Sequence, residues 1–502
     1  MSRIRLAWKS LEVILFETPL SKAHRRAKWL CVAAIYLVGI AHWIWFFNRG
    51  DLNLGGHDWV LQGAFLNTLR ESQINGLIPW RWNEPFYHTA DFLANAEVVL
   101  TPDIIALRWL SNSSFVILHT VVFYSCGFIG CMLIVRKYDS TLTIFVFFWL
   151  LFNFNGYLTS HISVGHFAWL GYFILPFFFL LMFRFIQDSH SASSLSVTPA
   201  LGMAFLLGAL FLNGSVHVAM WCSIFMAITV CWRHTMFLNV LVSIFVGGLL
   251  SANRLLPAAM FFPPPKQFAL GYATFTDLLD AFTSLRNQDF IRFGYTSWWG
   301  GGGGWSGGEG WWEYDIFIGF TAFVVLSLCL VPALKLAKLE NQSALFFTAG
   351  VFVLFSLGTV YAVVVNSRIP FSTIERTPSR FIIMPFMLLL IFSLRTLNEL
   401  LISISVRRFK FVAIAVLLIT GFELKDHWLL WRASNVEKSV QNRITPVFAI
   451  LPNTDPVYTV SVYAGWLISV ISLLVVIIVL FWWNRERVGV SVAGAREWTR
   501  RS

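Results

Sequence analysis

Uninterrupted apolar stretches recur along this chain at the length needed to cross a bilayer, about 20 helical residues for roughly 30 Å of hydrocarbon. Phe115–Val135 and Val460–Trp483, for example, contain no charged residue at all. A chain built this way must satisfy every backbone polar group internally, so each stretch reads as a helix. Twelve such spans are expected: Trp29–Phe47, Phe115–Val135, Thr141–Tyr157, Phe167–Ile186, Thr198–Leu212, Val218–Trp232, Met236–Leu255, Ile316–Leu334, Ser343–Val365, Phe381–Leu401, Phe411–Phe422 and Val460–Trp483. Composition agrees: 57% of the 502 residues are hydrophobic and 13% charged, where soluble domains carry about 25% charged residues. A string of soluble domains is excluded. The expected fold class is an all-α polytopic membrane protein with about twelve transmembrane helices and two long outer loops.

The net charge of +11 points to orientation rather than to nucleic acid, because membrane proteins place Lys and Arg on the cytoplasmic side. Residues 1–28 form a basic flank (Arg3, Arg5, Lys9, Lys22, Arg25, Arg26, Lys28) with no small-residue cleavage site after it. Counting twelve spans from a cytoplasmic start puts Arg136, Lys137, Arg184, Arg233, Lys335, Lys338, Arg407, Arg408 and Lys410 on the same side, together with the basic tail 484–502. Residues 29–483 are then one transmembrane domain in a cell membrane, read as a bacterial inner membrane, with both termini cytoplasmic. All six cysteines fall inside spans, so neither a disulfide framework nor a cysteine metal site is expected.

Two outer segments, 48–114 and 256–315, are far longer than a connection requires, and loops of that length usually carry function. They form the candidate active-site face. The first holds an amphipathic pattern at Trp59–Leu69, suited to the lipid–water interface, and then Trp80-Arg-Trp-Asn83. The second ends in a glycine-rich stretch from Gly300 to Gly310, which reads as a flap; it lacks the Lys-Ser/Thr of a phosphate-cradling loop. Polar residues gather on this face. Acids include Asp51, Asp58, Glu71, Glu84, Asp91, Glu97 and Asp103; histidines include His57, His119, His161, His166, His217 and His427. Ionisable groups beside apolar segments are costly and often functional. His161 and His166 are five apart, a poor spacing for two metal ligands on one helical face, so no metal site is expected there. Asn213-Gly-Ser-Val-His217 reads either as a break exposing backbone to a cavity or as a tight turn. Arg376 and Arg380 flank Pro378 at a helix start, an arrangement suited to clamping a phosphate or to anchoring at the interface.

The order of motifs along the chain carries more than any one of them. Gly56-His-Asp58-Trp-Val-Leu-Gln62 follows the first span, then come Leu77-Ile-Pro-Trp-Arg-Trp-Asn-Glu-Pro-Phe86, Leu93-Ala-Asn95-Ala-Glu97 and Thr101-Pro102. Phe154-Asn-Gly-Tyr157, Gly165-His166, Trp312-Glu313-Tyr314 and Arg-Thr-Pro-Ser-Arg380 complete the set. In this the chain resembles the C-type membrane glycosyltransferases, which use polyprenyl-phosphate sugars, and in particular a bacterial branch related to the lipid-linked-sugar transferases that decorate envelope polymers. It departs from that pattern at His88-Thr-Ala-Asp91 and at Ala96. The resemblance implies hexosyl or pentosyl transfer from a polyprenyl-phosphate donor to an envelope glycan, lipid or protein acceptor. It also implies a catalytic carboxylate in the first outer loop: Asp58, with Asp51 as second choice. His57, Gln62, Glu97, His166 and Glu313 are the expected substrate contacts, with Arg376 and Arg380 on the phosphate.

The chemistry agrees with that implication. A base must take the acceptor proton as the anomeric carbon becomes oxocarbenium-like. The leaving phosphate needs positive charge, from Arg376, Arg380 or a divalent cation, and no other cofactor. Two other readings stay open: a non-catalytic membrane scaffold or assembly subunit, and a transporter or flippase for a lipid-linked sugar. A transporter would carry ionisable groups at mid-membrane and internal repeats.

Overall fold

The computed structural model describes residues 2–17, 21–52, 54, 57–86, 89–188, 195–262, 271–286, 310–367, 375, 377–403, 407–433 and 448–501. The glycine-rich stretch up to residue 309 and Arg376 lie outside the described residues. The chain is an assembly of helices: among the described residues, seven are long and apolar enough to cross a membrane, and a bent pair could act as an eighth. It is an all-α multi-pass membrane protein by these criteria.

Helix α1 (Ser2–Phe16) precedes α2 (Lys22–Phe46), whose start is capped by Ser21 accepting from the His24 amide. The outer segment that follows holds α3 (Trp59–Asn75), then strands β1 (Arg81–Phe86) and β2 (Thr89–Asp91). Helix α4 (Asn112–Lys137) returns antiparallel to α2, and the Tyr124 ring occupies the space a Cβ on Gly39 would need. Small residues permit this close approach of helices. Helices α5 (Leu142–Phe154) and α6 (Gly156–Ser163) form the centre of the molecule, 89% buried over their apolar window. An eight-residue 3₁₀ helix at 167–174 leads into α7 (Leu175–Asp188). Then come α8 (Val197–Leu212), α9 (Val216–Trp232), α10 (Phe237–Leu250) and α11 (Ala252–Phe261). After α12 (Phe275–Thr283) follow α13 (Phe320–Leu339), α14 (Ser343–Ser356), α15 (Gly358–Asn366), α16 (Ile383–Ser403) and α17 (Arg407–Trp431). Strand β3 (Ile450–Leu451) joins the edge of β1 to give the order β2-β1-β3, and α18 (Pro456–Arg501) closes the chain. The apolar window of α18 is only 17% buried, so this helix stands at the periphery.

Four expectations are corrected. The span at 236–255 is not one helix: α10 and α11 meet at 78°. The Ser251 hydroxyl back-bonds to the Gly247 carbonyl, and the buried Arg254 guanidinium pulls the chain aside by donating to the Asn95 and Val98 carbonyls at 2.7 and 2.8 Å. The span at 343–365 is interrupted at Leu357, because Tyr272 inserts between the two helices, donating to the Ser356 carbonyl and accepting from the Gly358 amide. The eleventh span runs past Phe422 to Trp431, since its polar end is satisfied inside the protein: Glu423 accepts from Thr321 and His427 pairs with Asp315. Helix α3 is no interfacial helix, because residues on every side of it, Trp59, Gln62, Phe65 and Thr68 among them, are buried in the protein.

Candidate functional site

The site is built where six chain segments meet at one end of the bundle, opposite the basic start of α2. Asp58 is placed by backbone contacts with the turn after α6. Its amide donates to the Val164 carbonyl at 3.0 Å, and the Trp59 indole donates to the Ser163 carbonyl at 2.9 Å. Gly165 makes this docking possible. Its φ is +97°, and a Cβ there would lie 2.3 Å from the Trp59 nitrogen. The same turn brings His166 onto Asp58, with Nε2 2.7 Å from Oδ2.

Behind it stands His161, whose Nδ1 is 2.6 Å from His166 Nδ1. Asp58 as a carboxylate only accepts, so His166 donates from Nε2; its Nδ1 is then the acceptor, and His161 donates from Nδ1. The side chain of Asp58 is 55% exposed and that of His166 9%, so the carboxylate faces the cavity and the imidazoles support it from within. Spacing on a single helix does not govern this pair, because the chain reverses between them and the His166 amide donates to the His161 carbonyl.

A buried ion cluster forms the far wall. Arg380, at the start of the segment leading into α16, donates from Nε and Nη2 to the two carboxylate oxygens of Glu313, both at 2.7 Å, and from Nη1 to Glu375 at 3.3 Å. Its guanidinium lies over the Trp169 ring, 4.7 Å from the centroid. Glu375 also accepts from His217 Nδ1 at 2.9 Å and from the Trp221 indole at 3.0 Å. Burial alone would push the Glu313 carboxyl up, but the Arg380 guanidinium beside it holds it well below the usual carboxylate range. Burial likewise opposes ionisation of Glu375, and His217 with Arg380 reverses that, so its carboxyl also sits low.

The turn between α8 and α9 completes the wall. It is a tight turn, held by His119 bridging Asp103 and Asn213 at 2.5 and 2.8 Å, and Gly214 at φ +72° sits against the Glu97 carbonyl. This presents Ser215 and His217 to the interior. Together Asp58, Gln62, Glu97, His166, His217 and Arg380 line one small cavity of ≈ 50 Å³ that opens to the outside at Asp58.

The expected residues divide accordingly. Asp58, Gln62, Glu97, His166 and Arg380 share the cavity, and Glu313 stands directly behind Arg380. His57, at φ +47°, lies beside it with its ring edge-on to Trp312. Asp51 is exposed and does not line the cavity. Arg380 is not an open phosphate clamp, since two buried carboxylates already neutralise it. Glu375 and Trp169 are not singled out by sequence, and His217 enters there only as one of the outer histidines and the end of the Asn213–His217 segment. The signal for Glu375 is a lone acid five residues before Arg380.

Donor atoms of His161, His166 and Glu313 lie within 4.8 Å of one another, and His161 Nε2 is buried with no partner among the described residues. A divalent cation would need an oxygen of Glu313, and both are held by Arg380. As arranged, the cluster is a hydrogen-bonded network in which a cation at Glu313 would share that carboxylate with Arg380.

Among known families, one described as protein of unknown function (DUF2542) matches residues 404–483, the segment of α17, β3 and most of α18. No curated protein and no solved structure matches the chain.

Proposed function

We propose that this protein is an integral membrane glycosyltransferase that moves a sugar from a polyprenyl-phosphate donor to a hydroxyl acceptor, with Asp58 as the general base. The observation that carries the reading is the partly exposed carboxylate of Asp58 at a cavity mouth, hydrogen-bonded on its inner side by His166. Asp58 takes the acceptor proton as the new bond forms at the anomeric carbon; the bond from that carbon to the phosphate oxygen breaks, and polyprenyl phosphate leaves. His166 holds one carboxylate oxygen so that the other faces the acceptor, and the buried His161 fixes the His166 tautomer. Arg380 orients the Glu313 and Glu375 wall, and Arg376, four residues earlier in the sequence, is the cation assigned to the leaving phosphate in this reading.

In this reading the chain crosses twelve times, the three shorter apolar helices and α17 being counted with the seven long spans and the bent pair. The end that carries Arg25, Lys28, Arg136 and Lys137 then faces the cytoplasm and the cavity faces outward, where nucleotide sugars are absent and a lipid-carried donor is required. The cell envelope of a bacterium is the setting this implies.

The test is release of polyprenyl phosphate by the full chain in vesicles supplied with polyprenyl-phosphate hexose or pentose and a membrane extract as acceptor source. D58N is expected to lower the rate at least about 100-fold, the scale of a lost general base, with an unchanged unfolding temperature. Full activity in D58N, or no release by the wild-type chain from either donor, would overturn the proposal.

A further inference from the structure

At the other end of the bundle a second cavity has the polarity of a lipid. Helices α2 and α4 are antiparallel, so the start of one and the finish of the other lie together, with the start of α5 against them. Between them is a cleft of ≈ 750 Å³. Arg25, Lys28 and Arg136 stand at one end of it, with Asp139 as the accompanying acid. Its walls below are Val32, Phe128, Met132 and Phe145, and its far end is marked by Tyr36 and Ser125, bonded to each other at 2.8 Å. Arg25 to Tyr36 and Ser125 to Arg136 are both eleven residues of helix, about 16 Å at 1.5 Å per residue. Cations at one end and an apolar trough beyond them match a phosphate head with an acyl chain behind it.

The charges are available for such a ligand. Lys28 donates to the Ser140 carbonyl at 3.1 Å, a neutral partner, and neither Arg25 nor Arg136 makes an ion pair among the described residues. The neighbouring Lys137 turns away, over the Phe183 ring at 4.8 Å, while Arg136 faces the cleft. Three cations against one acid leave the mouth net positive. Basic pockets between transmembrane helices on the side of the positive flank attract anionic head groups.

From the cationic mouth and the apolar trough together, we infer that the cleft between α2, α4 and α5 is a binding site for one anionic glycerophospholipid, its phosphate at Arg25, Lys28 and Arg136 and one acyl chain between the helices. The site is independent of the cavity around Asp58 and of the reaction proposed there.

The test is native mass spectrometry and thermal unfolding of the full chain in neutral detergent. Phosphatidylglycerol, phosphatidylcholine with the same acyl chains, and inorganic phosphate are added in turn. One phosphatidylglycerol should remain bound and raise the unfolding temperature; phosphatidylcholine and phosphate should do neither. The double variant R25Q/R136Q should weaken phosphatidylglycerol binding roughly thirtyfold, at about one basic-residue contribution each. A33W, at an exposed position on the cleft wall, keeps every charge but fills the trough, and should weaken binding as well. Equal binding of phosphatidylcholine, equal stabilisation by inorganic phosphate, or unchanged binding in either variant would overturn the assignment.

Discussion

The residue with the most at stake energetically is Arg380. It is buried with two carboxylates, and a buried charge is tolerable only while its partners remain. Removing the guanidinium leaves Glu313 and Glu375 facing each other across an apolar wall. R380M is therefore expected to cost about 3–5 kcal/mol of stability, read as a large fall in unfolding temperature in detergent. R380K should not rescue it, because an ammonium cannot supply the two parallel donors that Glu313 accepts. A stable R380M protein would show that the cluster is hydrated and open. Asp58 differs in kind. It is half exposed and its loss leaves no buried charge, so D58N separates chemistry from folding in a way that no change at Arg380 can.

At the scale of elements, the turn between α6 and α7 does most to assemble the site. It carries His166 and folds it back onto His161 of α6, and it docks on Asp58 and Trp59 through Gly165. G165A must place a Cβ against the Trp59 nitrogen at a φ that L-residues rarely adopt. The expected cost is about 1–3 kcal/mol of backbone strain, together with loss of the Asp58–His166 contact and hence of transfer activity. Wild-type unfolding temperature and activity in G165A would sink this account. Sequence placed both histidines at this turn, but weighing their spacing as on one continuous helix does not report the reversal that brings their rings into contact. The same assumption failed at α10–α11 and at α14–α15. There the breaks come from partners far along the chain, Asn95 and Val98 for Arg254 and Tyr272 for Ser356 and Gly358, and no local pattern reports them.

For the whole molecule, polarity is sorted between two ends. One gathers basic residues around α2 and α4; the other gathers Asp58, Glu313, Glu375 and their histidines. This sorting carries a pH dependence. Glu313 and Glu375 have folded-state pKa values below the ordinary 4.5, so protons bind more tightly to the unfolded chain. The stability they contribute is complete above about 4.5 and is lost as pH falls through the lower folded values. Unfolding temperature measured from neutral pH down to about pH 3 should therefore fall on the acid side, and E313Q should flatten that fall. An acid limb unchanged in E313Q would show that other carboxylates govern it.

Sequence alone determined that the chain is helical and lives in a membrane, because apolar length and charge placement are local properties that the bilayer reads directly. It also named five of the side chains that line the cavity around Asp58. Only the tertiary structure decided which acid stands in the cavity, that Arg380 is already spoken for, and that Glu375 and His217 belong to its wall. Those outcomes depend on pairings between residues separated by tens to hundreds of positions. The energy of a buried charge is set by its neighbours in space, which hydropathy along the chain does not record.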